Sequence, residues 1–480
     1  MPDPEVQKPR EATDAGGVAD LEAGHLSRTQ IVLFAISSGS PAVGLSLVPM
    51  LMFSYSGLQS WPSQLLGMAA TVCIGLTVSF FARRYVATGS IYSYMGAAFS
   101  GRWARIIVGA ALLLGFILQV AIIVGVVGLF VGSFLTEIGF GKATGAFLQA
   151  VIYLIALGAA ALIAIRGLDA SVRTVVIAAA VSLPLPLLIT VISGVHTGLA
   201  LPLQFNLNEL SISATFRGFA AGVAFLVGFE SLAALAAETR DPKRNVPIAV
   251  MSMPVVLGSL YLLATIVQLP GLAAASTQIE AGLSPPAALA LQAGLPPEVG
   301  PAADLLLAVS MFAGLVGFMN FGSRFVATLA ADKLLLSRLA VIHHRYRSPA
   351  VAIIILAAIG FVLMELTVLV AGDVTTGYTA IATALVYSWL PAYLLLSIGA
   401  IVRMLRDRDL RWTYTASATL GALVIVWLYV NDIINPPPGP SAGVRWVTYG
   451  TIAGLLLVFG FVEYKRRRAL RRVGSVKDAL

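Results

Sequence analysis

Long apolar runs recur along this chain from residue 30 almost to its end, most of them near or above twenty residues. A bilayer core of about 30 Å takes roughly twenty helical residues to cross. In lipid each spanning segment must satisfy its own backbone polar groups, so only helices and closed barrels cross it. The runs are far too continuous for the roughly ten-residue alternating strands of a membrane barrel. Helices are therefore predicted at 30–55, 62–84, 103–134, 145–165, 171–194, 212–237, 247–271, 301–329, 349–371, 375–401, 411–431 and 443–463. The expected fold class is an all-α membrane protein with twelve transmembrane helices. Composition agrees, with 58% of residues hydrophobic and 11% charged, where a soluble domain carries about 25% charged residues. The single cysteine, Cys73, excludes a disulfide scaffold.

The net charge of +8 is informative through its placement. With twelve spans and both termini in the cytoplasm, 28 of the 31 Lys and Arg fall on the inner side, and only Lys142, Arg217 and Arg445 fall elsewhere. This is the positive-inside bias, and one missed helix would invert every later loop. The charge thus reads as orientation, and no nucleic-acid partner is expected. The predicted location is the cytoplasmic membrane, with lipid as a partner; the oligomeric state stays open. Residues 1–27 are acidic and lack an apolar core, so they read as a disordered cytoplasmic tail and not as a cleavable signal. Residues 465–480 form a basic cytoplasmic tail, either an orientation signal alone or a contact for anionic lipid.

Catalytic signatures are absent: there is no H-E-x-x-H, no Cys/His cluster and no P-loop. The 6–7 loop carries Glu238 and Asp241, but basic residues surround them. Neither an enzyme, nor a metal site, nor a cofactor is expected.

Two helices are interrupted. Helix 1 contains Ser37-Ser38-Gly39-Ser40-Pro41, followed by Gly44. Proline removes a backbone hydrogen bond and clashes with the preceding turn, so this helix should open near mid-bilayer, where irregular backbone is tolerated only if buried or lining a cavity. Helix 6 contains Gly222, Gly228 and Glu230. A carboxylate at that depth costs on the order of 3 kcal/mol, so Glu230 faces the interior, either as a functional group or as a hydrogen-bonded acid pinning an unwound segment. The breaks lie about 190 residues apart, in the first and sixth spans. Broken helices at matching positions of two halves point to a secondary-transporter site, and halves of five helices make the repeat inverted. Half-helix N-termini offer bare N–H groups to an anion, and unwound carbonyls accept from an ammonium. An α-amino acid carries both charges.

The stretch Phe225-Leu-Val-Gly228-Phe229-Glu230-Ser231, running to Glu238-Thr239-Arg240-Asp241-Pro242 and on to Pro247, resembles helix 6 and the following loop of the amino acid–polyamine–organocation permeases. Asn320, Ser323, Arg324 and Asp332, leading to Arg345-Tyr346-Arg347-Ser348-Pro349, are similar to that family's helix 8 and its inner loop. Gly89, Tyr92, Tyr94, Phe99 and Gly101 resemble its segment between helices 2 and 3. The resemblance covers roughly residues 28–465.

It implies the leucine-transporter-type fold: a five-plus-five inverted repeat and two C-terminal helices, with helices 1 and 6 moving against a scaffold. The divisions are 28–200 and 201–404 for the repeats and 405–464 for helices 11 and 12. It implies that Ser37, Ser38, Gly39, Ser40 and Ala42 bind a carboxylate and that Phe225, Val227 and Gly228 offer carbonyls to an amine. Phe229 would cover the site, Glu230 would couple or stabilise, and Asn320 is a cavity candidate. Gln119 is placed either at the site or in an interhelical contact. The family often has more glycine where Ser40-Pro41 stands here. Helix 5 has Pro184 and Pro186 and no lysine, which leaves the coupling ion open between proton and sodium; Ser323 would offer oxygen to sodium. The implied function is import of an amino acid or polyamine-like amine by cation-coupled alternating access. An exchanger or uncoupled facilitator of the same fold, and a non-transporting receptor, are the alternatives.

Overall fold

The computed structural model of the protein describes residues 21–140, 145–206, 208, 210–434 and 441–477. Residues 1–20 of the expected tail, Lys142, the Pro-rich turn at 435–440 and residues 478–480 lie outside the described residues.

Twelve described helical stretches are long and apolar enough to cross a membrane. They are helix 1 (Arg28–Gln59), helix 2 (Trp61–Ala82), helix 3 (Trp103–Glu137), helix 4 (Ala146–Ile165), helix 5 (Leu168–Thr197) and helix 6 (Ile212–Glu238). Helix 7 (Pro242–Ala274), helix 8 (Val299–Ala331), helix 9 (Ala350–Ala371), helix 10 (Val374–Asp407), helix 11 (Trp412–Asn431) and helix 12 (Gly443–Arg466) follow. The protein is thus an all-α, multi-pass membrane protein. Helix 7 starts five residues before its apolar run. There Pro242 takes the first-turn position, where its missing N–H costs nothing. Helix 12 continues to Lys477, so the basic tail begins as helix.

Helices 3, 8 and 10 are long unbroken elements, with 35, 33 and 34 residues, each about 50 Å at 1.5 Å per residue. Helix 3 packs along both others, making a frame against which helix 1 lies. The approach is close because helix 8 has Gly314 and Gly317 there. A Cβ on Gly314 would sit 3.2 Å from the Ser38 carbonyl oxygen, and one on Gly317 would sit 2.6 Å from Ser38 Cβ. Small residues let backbones approach in this way inside membranes. Leu154 on helix 4, Val370 on helix 9 and Leu457 on helix 12 point outward and exposed, as lipid-facing positions do.

One backbone tie was not foreseen. Leu26 is fully buried and forms a parallel bridge with Thr239. The Leu26 N–H donates to Glu238 O at 3.0 Å, and the Arg240 N–H donates to Leu26 O at 2.9 Å. The tail expected to be disordered through residue 27 is therefore paired from Gly24, whose N–H donates to Ala237 O at 3.2 Å. The start of helix 1 and the end of helix 6, the two broken helices, are fastened to one another.

Candidate functional site

Helix 1 opens where its sequence predicted. It is α-helical over Arg28–Ser38 and again over Pro41–Ser56. Between them Ser40 adopts φ 51° and ψ 61°, a left-handed conformation uncommon for a residue with a side chain. Its hydroxyl donates to Ser310 O of helix 8 at 3.1 Å, which anchors it. Pro41 starts the second half with a φ suited to a helix N-terminus. Tyr261 of helix 7 donates its hydroxyl to Gly39 O at 3.3 Å.

Helix 6 opens differently. An α-helix over Ile212–Gly222 tightens into a 3-10 turn over Val223–Leu226, and Val227 is extended. Gly228 sits at φ 87° and ψ 0°, and Phe229–Glu238 continues as 3-10 helix. Such runs rarely exceed three or four residues and mark hinges or strained sequence. Glycine is required at 228 twice over: by its positive φ, and because a Cβ would meet the Phe318 ring at 2.9 Å.

A cavity of about 70 Å³ lies between the two breaks, room for a few waters. Ser38, Gly39 and Ser40 line it from helix 1, and Ala224, Phe225 and Val227 from helix 6. The frame supplies the rest as helical stripes. Gln119, Ile122, Ile123 and Val126 recur at i, i+3, i+4 and i+7 on helix 3; Tyr378, Ala382 and Leu385 do likewise on helix 10; Met311 and Phe318 come from helix 8. No charged side chain is among the lining residues. Two buried polar atoms on the wall, Ser38 Oγ and Gln119 Oε1, have no hydrogen-bond partner.

Of the residues singled out from sequence, Ser38, Gly39, Ser40, Gln119, Phe225 and Val227 come together here. The others lie elsewhere. Ser37 is buried in the last turn before the break, its carbonyl accepting from Ser40 N–H at 3.2 Å. Ala42 packs with Val126, Phe130 and Leu307 beside the cavity. Phe229 turns to a separate apolar crevice formed with Ile74, Trp389 and Gly421. Phe318, absent from the sequence reading, is the aromatic ring that touches Gly228 and the cavity. Asn320 donates to Val316 O and accepts from Arg324 Nη1 at 3.0 Å, so it serves the arginine. Ser323 donates to Asn320 O at 3.2 Å.

Glu230 is fully buried. Its Oε2 accepts from the Tyr393 hydroxyl at 2.5 Å, and the same hydroxyl accepts from Gly228 N–H at 2.9 Å. Its backbone carbonyl accepts from Ser90 Oγ at 3.0 Å. Oε1 has no partner, and no cation pairs with Glu230 among the described residues. Tyr393 was missed; it lies fifteen residues beyond Tyr378 on helix 10, and only the fold brings it to helix 6.

Glu238 does not behave as the loop residue its basic neighbours suggested. It is buried, and Arg324 holds it with two donors: Nε to Oε2, and Nη2 to Oε1 at 2.7 Å. Arg324 reaches it from inside helix 8. At the same end of helix 8, Asp332 accepts from the Tyr92 hydroxyl at 2.5 Å and from Arg105 Nη1 at 3.1 Å. Burial and the Asp332 carboxylate push the Tyr92 hydroxyl well above its ordinary value, so it remains a donor there.

Twelve helices long and apolar enough to span a membrane thus close around a cavity with a polar break on one side and an apolar wall on the other. The family model for amino acid permeases matches residues 29–461, and the chain belongs to that family. This is a transport protein and not an enzyme. No curated protein sequence matches it.

Proposed function

We propose that the protein is a secondary active transporter that imports an amino acid or related amine by alternating access, driven by a proton or sodium gradient. The observation that carries this reading is the cavity at the junction of both helix breaks, lined by Ser38–Ser40 on one side and Phe225 and Val227 on the other. The Pro41 end of helix 1 turns its N-terminal dipole toward the break, which favours a carboxylate. The helix 6 break carries peptide carbonyls suited to an ammonium. Gly228 sets the turn in helix 6, Ala42 and Ser37 flank the helix 1 break, Phe229 closes the neighbouring crevice and Asn320 steadies Arg324.

Glu230 is the coupling group in this reading. Among the described residues no guanidinium or ammonium pairs with it, and it contacts the break through Tyr393 and Gly228. Ser323 is the alternative oxygen ligand for sodium. One charge crossing 100 mV releases about 2.3 kcal/mol, which supports roughly fifty-fold accumulation. The chain is organised as inverted repeats over 28–200 and 201–404 with two added helices in 405–464, and both termini are cytoplasmic. The match between break positions and the positive-inside charge supports this arrangement. The bridge between Leu26 and Thr239 joins the start of helix 1 to the end of helix 6, so the two broken helices are coupled to one another.

Purified protein in liposomes, offered labelled amino acids and polyamines under imposed proton or sodium gradients, tests the proposal. Gradient-driven accumulation is expected. Uptake of none of these solutes refutes transport. Uptake that needs counter-substrate inside and ignores both gradients makes the protein an exchanger.

A further inference from the structure

The cavity wall also says what kind of side chain it accepts. We propose, resting on the transport reading above, that the substrate is a zwitterionic amino acid with an apolar, aliphatic side chain, and that polyamines and amino acids with charged side chains are excluded. The polar and apolar parts of the wall are separate in origin. The breaks supply peptide groups, with Ser38 Oγ and Gln119 Oε1 beside them as partnerless buried polar atoms. Gln119 Oε1 is an acceptor, which an ammonium satisfies. The rest of the wall is mainly apolar, with Ile123, Val126, Met311, Ala382 and Leu385 beside the rings of Phe318 and Tyr378.

A third charge on the substrate finds no counter-ion on this wall. Arg324 is buried and engaged by Glu238 through two hydrogen bonds. Glu230 is not on the cavity wall and is engaged by Tyr393. A lysine-like or arginine-like side chain would place its cation on a wall with no carboxylate, and a glutamate-like one its anion on a wall with no guanidinium or ammonium. A diamine would do the same with its second ammonium, and would leave the carboxylate position empty. Burying an unpaired charge costs several kcal/mol after relaxation, which corresponds to discrimination of about 100-fold or more.

The test is uptake of labelled alanine, leucine, arginine, glutamate and putrescine at equal concentration by the full-length protein in liposomes. Saturable uptake of alanine or leucine is expected to exceed that of the other three by about 100-fold in kcat/KM. Arginine, glutamate or putrescine within tenfold of leucine overturns the proposal while leaving transport standing. No uptake of any of the five overturns both. Two variants probe the wall itself, with melting temperature in detergent as the check on folding. Ala382→Phe fills the aliphatic end and should lower leucine uptake about tenfold more than alanine uptake. Met311→Ala enlarges it and should raise phenylalanine uptake relative to leucine about tenfold. Unchanged substrate ratios in both variants overturn the assignment of this wall to the side chain.

Discussion

Glu230 and Glu238 stand eight residues apart in the second half of helix 6, and both are buried, yet they are held in opposite ways. Glu238 has both oxygens engaged by Arg324, itself steadied by Asn320. Glu230 has one oxygen on a neutral hydroxyl and the other on nothing. The first arrangement is closed and fastens helix 6 to helix 8. The second is open, and it adjoins a cavity where Ser38 Oγ and Gln119 Oε1 are open too. A buried polar group without a partner is costly. Where several gather at one break they mark a place for a ligand or a proton, whereas a fully paired group marks a joint.

The largest effect should come from opening the closed pair. Glu238→Leu leaves the Arg324 charge buried without its partner, and a loss of about 3–5 kcal/mol is expected, read as a drop in thermal stability in detergent. Adding Arg324→Leu should recover most of that loss. A double variant as unstable as the single one breaks the account of the pair as a joint.

Tyr393→Phe should cost about 1–3 kcal/mol, because Gly228 N–H and Glu230 Oε2 both lose a partner inside the protein. The same stability measurement checks it, and a variant as stable as the parent would show that this hydroxyl is not what holds the break.

Glu230→Gln keeps an acceptor for Tyr393, so stability should change by less than about 1 kcal/mol. Gradient-driven uptake, measured in liposomes, should nevertheless fall by about tenfold or more. If this variant instead loses as much stability as Glu238→Leu and transports normally, the contrast between the two carboxylates is wrong.

The smallest structural effect is expected at Ser38→Ala. Its hydroxyl has no partner to lose, so stability should stay within about 0.5 kcal/mol. The substrate KM should rise by roughly two- to tenfold if that hydroxyl binds substrate.

Periodicity and proline chemistry made much of this legible from the residues in order. The apolar runs set the twelve spans to within a few residues at most boundaries, since the bilayer imposes a length on each. Pro41 with Gly39, and Gly228 with Glu230, located both breaks because their backbone and solvation costs are local. The stripe on helix 3 was half visible: once Gln119 is placed, Ile122, Ile123 and Val126 follow at helical spacing.

Pairings across the fold were not legible. Glu238 reads as a loop acid among Arg240, Lys243 and Arg244, and the place of Arg324 within helix 8 does not say which acid it meets. Their bond spans 86 positions, and that of Glu230 with Tyr393 spans 163. Nothing local specifies either. Leu26 lies beyond the apolar run of helix 1, so its pairing with Thr239 left no periodic trace.

By itself, then, the sequence determined that this chain is a twelve-helix membrane protein and where two of its helices cannot stay continuous, because insertion and backbone hydrogen bonding are settled segment by segment. Tertiary structure alone decided which polar groups are spent on one another and which remain open at the cavity, because a partner supplied by a distant helix is a matter of packing in three dimensions.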